Sequence, residues 1–300
     1  MFTNRKIPLS SLLKDQSHTI LRDAEIAFAG KLTTPLEHRI VPVSTHDHIA
    51  QANTATGVAA LITPPDLSSE VPDGLGLILS DNPLETLAKI QTALAQTPSL
   101  QWDSFETRIH PTAQISKTAE IASTDVVIGP ATQIGPGVVV EPRTLIGARC
   151  RIAAHTHLGA QGFEKDPGNP GHLLEQSGGV KIADDVTIQS SCVISRAIFG
   201  GFTQAGDRTL IDSLVSVSHD CNIAPDVIIC AKASLSGRVK IERGAYIGPG
   251  SSISNGITVA QGGQVSLGAV VTRDVLENEK VSGNFALPHE KWLSFIKQFR

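Results

Sequence analysis

Isoleucine, valine or leucine stands at positions 211, 217, 223, 229, 235, 241, 247, 253, 259, 265 and 271, a six-residue beat held without a slip. A helix wants apolar residues every three or four positions and a free strand every second one, so neither element explains it. A small residue usually follows the anchor, as at Asp212, Ser218, Ala224, Cys230 and Ser236. The position four beyond the anchor is usually small or β-branched, as at Val215, Cys221, Val227, Ala233 and Val239. This is the hexapeptide pattern of a parallel β-helix, in which each hexad makes one short strand and a corner. Three hexads close one triangular turn, so residues 18 apart lie above one another at the ~4.8 Å spacing of hydrogen-bonded strands.

The same beat opens at Ile109, Ile115 and Ile121, slips by one residue, and resumes at Ile128, Ile134, Val140, Ile146, Ile152 and Leu158. A third block holds Ile182, Ile188 and Ile194. Between the blocks, Gln161 to Gly179 carries Pro167, Gly168, Asn169, Pro170 and Gly171 and no period, which predicts a loop thrown out of the coil. A second irregularity spans Ala197 to Thr209. Loops that interrupt a solenoid at one or two places point to function.

A composition of 41% hydrophobic but only 4% aromatic residues suits a β-helix interior of stacked aliphatic side chains. The four cysteines, Cys150, Cys192, Cys221 and Cys230, sit singly in the repeats, which predicts free thiols in a reducing, cytoplasmic compartment. No apolar run is long enough for a membrane span. A formal charge of −4 with scattered basic residues gives no nucleic-acid footprint.

Residues 1–104 read as a small α/β substrate-recognition domain and linker. Apolar stretches fall at Leu9–Leu13, Ile20–Ala29, Val58–Ile62 and Gly76–Leu79, and a helix is expected over Pro83–Ala95 with Leu84, Leu87, Ile90 and Leu94 on one face. Gln96–Ser104 is the candidate linker. Residues 105–284 are the β-helix. Residues 285–300 form a short C-terminal helix, with Trp292, Phe295, Ile296 and Phe299 at helical spacing among Lys291, Lys297 and Arg300. It is expected to cover the open end of the ladder, with a membrane surface or a carrier protein as the other partners considered.

The 18-residue rule finds a column of chemistry: His219, Gly237, Asn255 and Arg273, each two residues after its anchor. Histidine titrates near neutrality, so His219 is the candidate base for an incoming hydroxyl or amine. Gly237 leaves its backbone N–H open to a developing oxyanion. Arg273, three rungs or roughly 14 Å away, suits a bidentate phosphate contact. Base, bare amide and distant phosphate clamp together suit acyl transfer from a phosphopantetheine thioester. Asp212, seven residues before His219, is the candidate to orient the imidazole. A solvated turn residue is the bland alternative for a lone corner histidine. His155 and His157 lack a third ligand at matching spacing, so no metal is expected.

The stretch from Leu210 through Ile211, Asp212 and His219 to Ile223 resembles the active-site segment of the UDP-3-O-(3-hydroxyacyl)glucosamine N-acyltransferases of lipid A synthesis. The segment Asp81-Asn-Pro-Leu-Glu-Thr-Leu-Ala-Lys-Ile90 is similar to that family's Asn-Pro helix, Gly159-Ala-Gln-Gly-Phe163 to its Gly-Ala-Asp-Gly-Phe, and Leu235-Ser-Gly237 to its glycine turn. The resemblance implies a left-handed coil, His219 as general base, Gly237 as oxyanion donor, and a homotrimer with sites between neighbouring coils.

The chain also departs from that family. Ser254-Asn255-Gly256 stands where Asn-Gly-His is usual, making Asn255 the candidate replacement for a second histidine. The segment Arg39–Asp47, which matches the family's uracil-recognising part, has no aromatic ring, and the helical tail after Pro288 is short. The expectation is a mainly β chain, with a small N-terminal α/β domain, a left-handed parallel β-helix of hexapeptide repeats and a short C-terminal helix. It is expected to N-acylate a nucleotide-linked amino sugar, with acyl carrier protein or acyl-CoA as donor and no permanently bound cofactor. The alternatives are a sugar O- or N-acetyltransferase using acetyl-CoA, favoured by the short tail, and a catalytically silent sugar-nucleotide-binding paralogue, disfavoured by a retained base.

Overall fold

The computed structural model describes residues 3, 5–13, 19–283, 286 and 288–298. The six-residue beat becomes a coil of three parallel faces. The first runs from Arg108–Ile109 to Thr258–Val259, the second from Gln114–Ile115 to Lys280–Val281, and the third from Glu120–Ile121 to Val270–Val271. Each strand pairs in register with the strand one turn later, as Ser216, Ser234, Ser252 and Val270 do on the third face. The 18-residue column is therefore a physical column. From Ile211 to Val271 every anchor is buried, none more than 5% exposed, which is why only aliphatic side chains hold the beat. Cys150, Cys192 and Cys221 are small core residues of the same interior, and burial pushes the Cys221 thiol up to about 12.

Each corner turns through one residue in the left-handed region, three after the anchor. Asp220, Asp226, Lys232 and Arg238 hold φ of 58°, 64°, 60° and 64°, and from Gly244 to Gly268 glycine takes the same place. Both interruptions of the beat lie on one corner, between the third face and the first. Residues 161–178 connect His157–Ala160 to Gly179–Ile182, and residues 196–201 connect Val193–Ser195 to Phe202–Ala205. The second irregularity is thus shorter than the sequence suggests, because Phe202–Ala205 is a full strand whose anchor, Ala205, is too small to register in the aliphatic beat.

Ahead of the coil is a five-stranded sheet ordered Thr19–Arg22, Gly76–Leu79, Val58–Thr63, Arg39–Pro42, Phe28–Ala29, antiparallel only in its first pair. Alternation along the strands divides its core between two faces. Helix α1 (Leu9–Leu12) leads into the sheet; Val41, Leu61 and Leu77 face helix α2 (His46–Thr54), while Ile40, Ile62 and Ile78 face helix α3 (Pro83–Ala95). Asn82 caps α3 and Pro83 opens it, fixing the start where the sequence placed it. Leu84 departs from the expected buried stripe and is 51% exposed.

The α3 side of this sheet shares its core with Leu174, Ile198 and Phe199, which come from the two interruptions. Gln91 of α3 is fully buried and donates from Nε2 to the carbonyls of Glu175 and Ile198 and to Ser177 Oγ. Segment 96–104, expected as a linker, carries the buried Trp102 and a buried Gln101 whose Nε2 donates to the Ala27 carbonyl. At the other end, helix α4 (His289–Lys297) buries none of its residues, so it does not form the buried seal expected over the coil. Trp292, Leu293 and Phe295 are half exposed. Phe299 and Arg300 lie outside the described residues. Among the described residues no helix is long and apolar enough to cross a membrane.

Candidate active site

His219 follows Val217 on the third face and sits on the interrupted corner, 4% exposed. Its Nδ1 lies 2.8 Å from Asp220 Oδ2. A carboxylate only accepts, so Nδ1 carries the proton and the ring presents its lone pair at Nε2. Asp220 is itself held: Ile198 N donates to Oδ1 at 3.2 Å, and Asp220 N donates to Thr203 Oγ1 at 2.8 Å. Both partners belong to or adjoin the second interruption, so the departure from the beat fixes the histidine's orienting group.

Two glycines clasp the ring. A Cβ on Gly237, one rung away, would fall within 3.0 Å of both Cε1 and Nε2, and one on Gly162 would lie 2.9 Å from His219 Cβ. Gly162 is fixed by a two-way amide bond: its N donates to Gln176 Oε1 at 2.9 Å, and Gln176 Nε2 donates to its carbonyl at 2.7 Å. The loop over residues 161–178 is therefore folded onto the imidazole. Phe163 is thrown outward, 87% exposed.

Glu164, next along, ties three elements together. Its Oε1 accepts from Lys31 Nζ at 2.7 Å, and its Oε2 lies 3.5 Å from His219 Nε2 and 3.6 Å from Arg238 Nη1. Burial pushes the Glu164 carboxyl up, but the Lys31 hydrogen bond and the charges of Lys31 and Arg238 outweigh it and hold it below the ordinary carboxylate range. Lys31 is positioned by the buried Arg39, whose guanidinium donates to the carbonyls of Lys31, Leu32, Leu36 and Thr56. A cleft of about 270 Å³ opens beside Glu164, lined by Lys31, Leu84, Leu87, Lys165, Leu174 and Phe199 among others. A groove of about 740 Å³ on the second face is larger, yet its lining of isoleucines, glutamines, Arg151 and small residues includes no acid or base that titrates near neutral pH.

The structure brings His219 and Gly237 together and leaves the other expected residues apart. Asp212 does not orient the imidazole. It lies on the corner between the second and third faces, where its carboxylate accepts from Ser213 N at 2.7 Å and Ala231 N at 3.2 Å. Asn255 is exposed, one rung beyond Gly237. Arg273 is a further rung away, and its guanidinium is engaged by Glu279 at 2.7 and 3.2 Å, a pairing that holds the Glu279 carboxyl down to about 2. Sequence reasoning missed Asp220, Glu164, Lys31 and Arg238. For Asp220 and Arg238 a signal existed, since they adjoin His219 and Gly237 on the same corner; Glu164 and Lys31 come from segments without a period.

Residues 125–160 match the bacterial transferase hexapeptide (six repeats) family. The coil is a hexapeptide-repeat β-helix. Among the most similar curated proteins are the acyl-(acyl-carrier-protein)–UDP-N-acetylglucosamine O-acyltransferase of Alkalilimnicola ehrlichii, 33% identical over 37% of this chain and 43% of that protein, and two named UDP-3-O-acylglucosamine N-acyltransferase. That of Caulobacter sp. is 29% identical over 45% of this chain and 40% of its own length. That of Sulfurimonas denitrificans is 31% identical over 45% and 43%. The chain thus spans about two fifths of the length of these relatives. Among solved structures, a UDP-N-acetylglucosamine acyltransferase from Campylobacter jejuni covers 64% of this hexapeptide-repeat chain and 83% of its own, at 20% identity and a TM-score of 0.49.

Proposed function

We propose that the chain is an acyltransferase that moves an acyl group from a phosphopantetheine thioester, on acyl carrier protein or coenzyme A, to the amine of a nucleotide-linked amino sugar. One observation carries the reading: a buried histidine, oriented through Nδ1 by Asp220 and clasped by Gly162 and Gly237, on the corner where both interruptions lie. Relatives named for O- and N-acyl transfer to UDP-linked sugars support the same reaction class.

In this reading His219 Nε2 takes a proton from the amine as it attacks the thioester carbonyl, and the Gly237 N–H donates to the developing oxyanion. The acceptor occupies the cleft beside Glu164, with Lys31 and Lys165 toward its phosphates. Arg39–Pro42 lies within the sheet, mostly buried, and offers no ring to a nucleobase, which supports weak preference for uridine. The donor arm runs along the column past Asn255, and its phosphate reaches Arg273 once that residue exchanges Glu279 for it. Residues 1–104, 105–284 and 285–300 act as acceptor-recognition, catalytic and tail units of a cytoplasmic homotrimer. Leu210, Ile228 and Tyr246, exposed on consecutive rungs of the second face, support self-association.

The test is His219→Ala assayed with a UDP-linked amino sugar and an acyl-pantetheine thioester. A loss of about 10²- to 10⁴-fold in kcat with an unchanged Tm is expected. Near-parental turnover by the folded variant would remove the assignment.

A further inference from the structure

We propose that Arg238 is a catalytic residue, its Nη1 donating a charged hydrogen bond to the thioester oxygen as that oxygen becomes an oxyanion. The inference rests on the acyl-transfer reading and adds to it a side chain that touches the reacting atoms. Arg238 is bound to His219 through the main chain, its N donating to the His219 carbonyl at 2.9 Å. The two side chains therefore rise from adjacent rungs of one corner.

Nη1 is buried and, among the described residues, has no hydrogen-bond partner. Native proteins rarely leave a buried donor in that state, and the cost is greater for a charged group. The nearest anionic atom is Glu164 Oε2, at 3.6 Å, beyond a normal N–H···O distance. The same oxygen stands 3.5 Å from His219 Nε2. Base and guanidinium thus face a common point without either being bonded to it, and that point is where a reacting centre must lie to use both. Glu164 holds Lys31 through its other oxygen, so Oε2 is the part of the carboxylate that an entering substrate displaces.

The step balances as follows. The amine nitrogen attacks the carbonyl carbon, a C–N bond forms, and the π pair moves onto oxygen, which accepts from Arg238 Nη1. The nitrogen's proton passes to His219 Nε2. The carbonyl re-forms as the C–S bond breaks, and the departing sulfur takes that proton from Nε2 and leaves as a thiol.

Arg238→Gln and Arg238→Lys, in the full chain, test this with a UDP-linked amino sugar and an acyl-pantetheine thioester. Arg238→Gln should lower kcat by about 10²- to 10³-fold, the effect of removing an oxyanion donor. The calorimetric Kd for the UDP-amino sugar should change by less than about threefold, and Arg238→Lys should restore about tenfold of the lost kcat through its remaining charge. A folded Arg238→Gln variant with parental kcat, a loss carried by the acceptor Kd, or no recovery with lysine would each overturn the role. His219→Ala, run alongside, separates the two claims. If it turns over normally the acyl-transfer reading falls; if it is inactive while Arg238→Gln is not, only the role of Arg238 falls.

Discussion

Rungs 217–238 and rungs 253–271 of the third face share one backbone geometry and differ in what their corners carry. In the first, the left-handed turn is made by Asp220 and Arg238, at φ of 58° and 64°, and the two turns of the coil before it carry the insertions packed under α3. In the second it is made by Gly256, at φ of 71°, and a Cβ there would meet no atom within 4 Å. Left-handed corners elsewhere in the coil also carry side chains, Asp226 and Lys232 among them, so what sets the first region apart is where its side chains go. At 220 and 238 the side chains converge on His219; at 256 there is nothing for one to reach.

The sharpest way to break the contrast is a pair of alanines. Gly237→Ala puts a methyl into the imidazole, with no positive φ to strain it, and should lower kcat by about 10²- to 10³-fold by displacing the base. Gly256→Ala should cost about 1 kcal/mol of stability and leave kcat within about twofold. Equal effects on activity would erase the difference between the two regions. Parallel measurement of kcat and Tm on both variants checks it.

A second pair compares two aspartates at the same left-handed turn. Asp220→Asn removes the acceptor that sets the His219 tautomer and should lower kcat by about 10²-fold. Asp226→Asn loses only exposed ion pairs with Arg208 and Arg243, which water screens, and should leave kcat unchanged. Steady-state kinetics on the two variants decides whether the corner or the histidine gives Asp220 its role.

Lys31→Met should have the smallest effect, about tenfold in kcat/KM, through loss of the grip on Glu164. Its stability effect has a defined pH sign. The Glu164 carboxyl is held below its ordinary range in the folded chain, so its contribution is present above the unfolded carboxylate pKa and is lost as pH falls through the folded one. Urea unfolding should therefore show a deficit of about 1 kcal/mol at pH 7 that closes as acidification protonates the folded carboxyl. A deficit that widens on acidification would mean that Lys31 does not stabilise the Glu164 carboxylate.

The coil was legible because its interior repeats: one aliphatic anchor per hexad fixes strand, corner and rung, and with them the column of His219 and Gly237. Asp212 shows where local reading misleads. Seven residues are one hexad and one more, so it falls on the preceding corner, where it caps its own turn. Phe202–Ala205 was hidden because Ala205 fills its rung without an aliphatic branch. Glu164 and Lys31 left no trace because they meet across 133 positions, joined by a loop stapled through Gln176 and a turn organised by Arg39. No periodicity encodes a contact of that kind. The final helix, expected over the ladder end, has the amphipathic pattern but buries none of its residues.

The central claim, that chemistry occurs on the interrupted corner, is tested most directly by a crystal structure of the His219→Ala chain soaked with a UDP-linked amino sugar. The account predicts the sugar amine in the space vacated by the imidazole, between Gly162 and Arg238, with the nucleotide in the cleft of Lys31 and Lys165. Density for the ligand in the second-face groove at Gln133 and Arg151, with the corner empty, would contradict it.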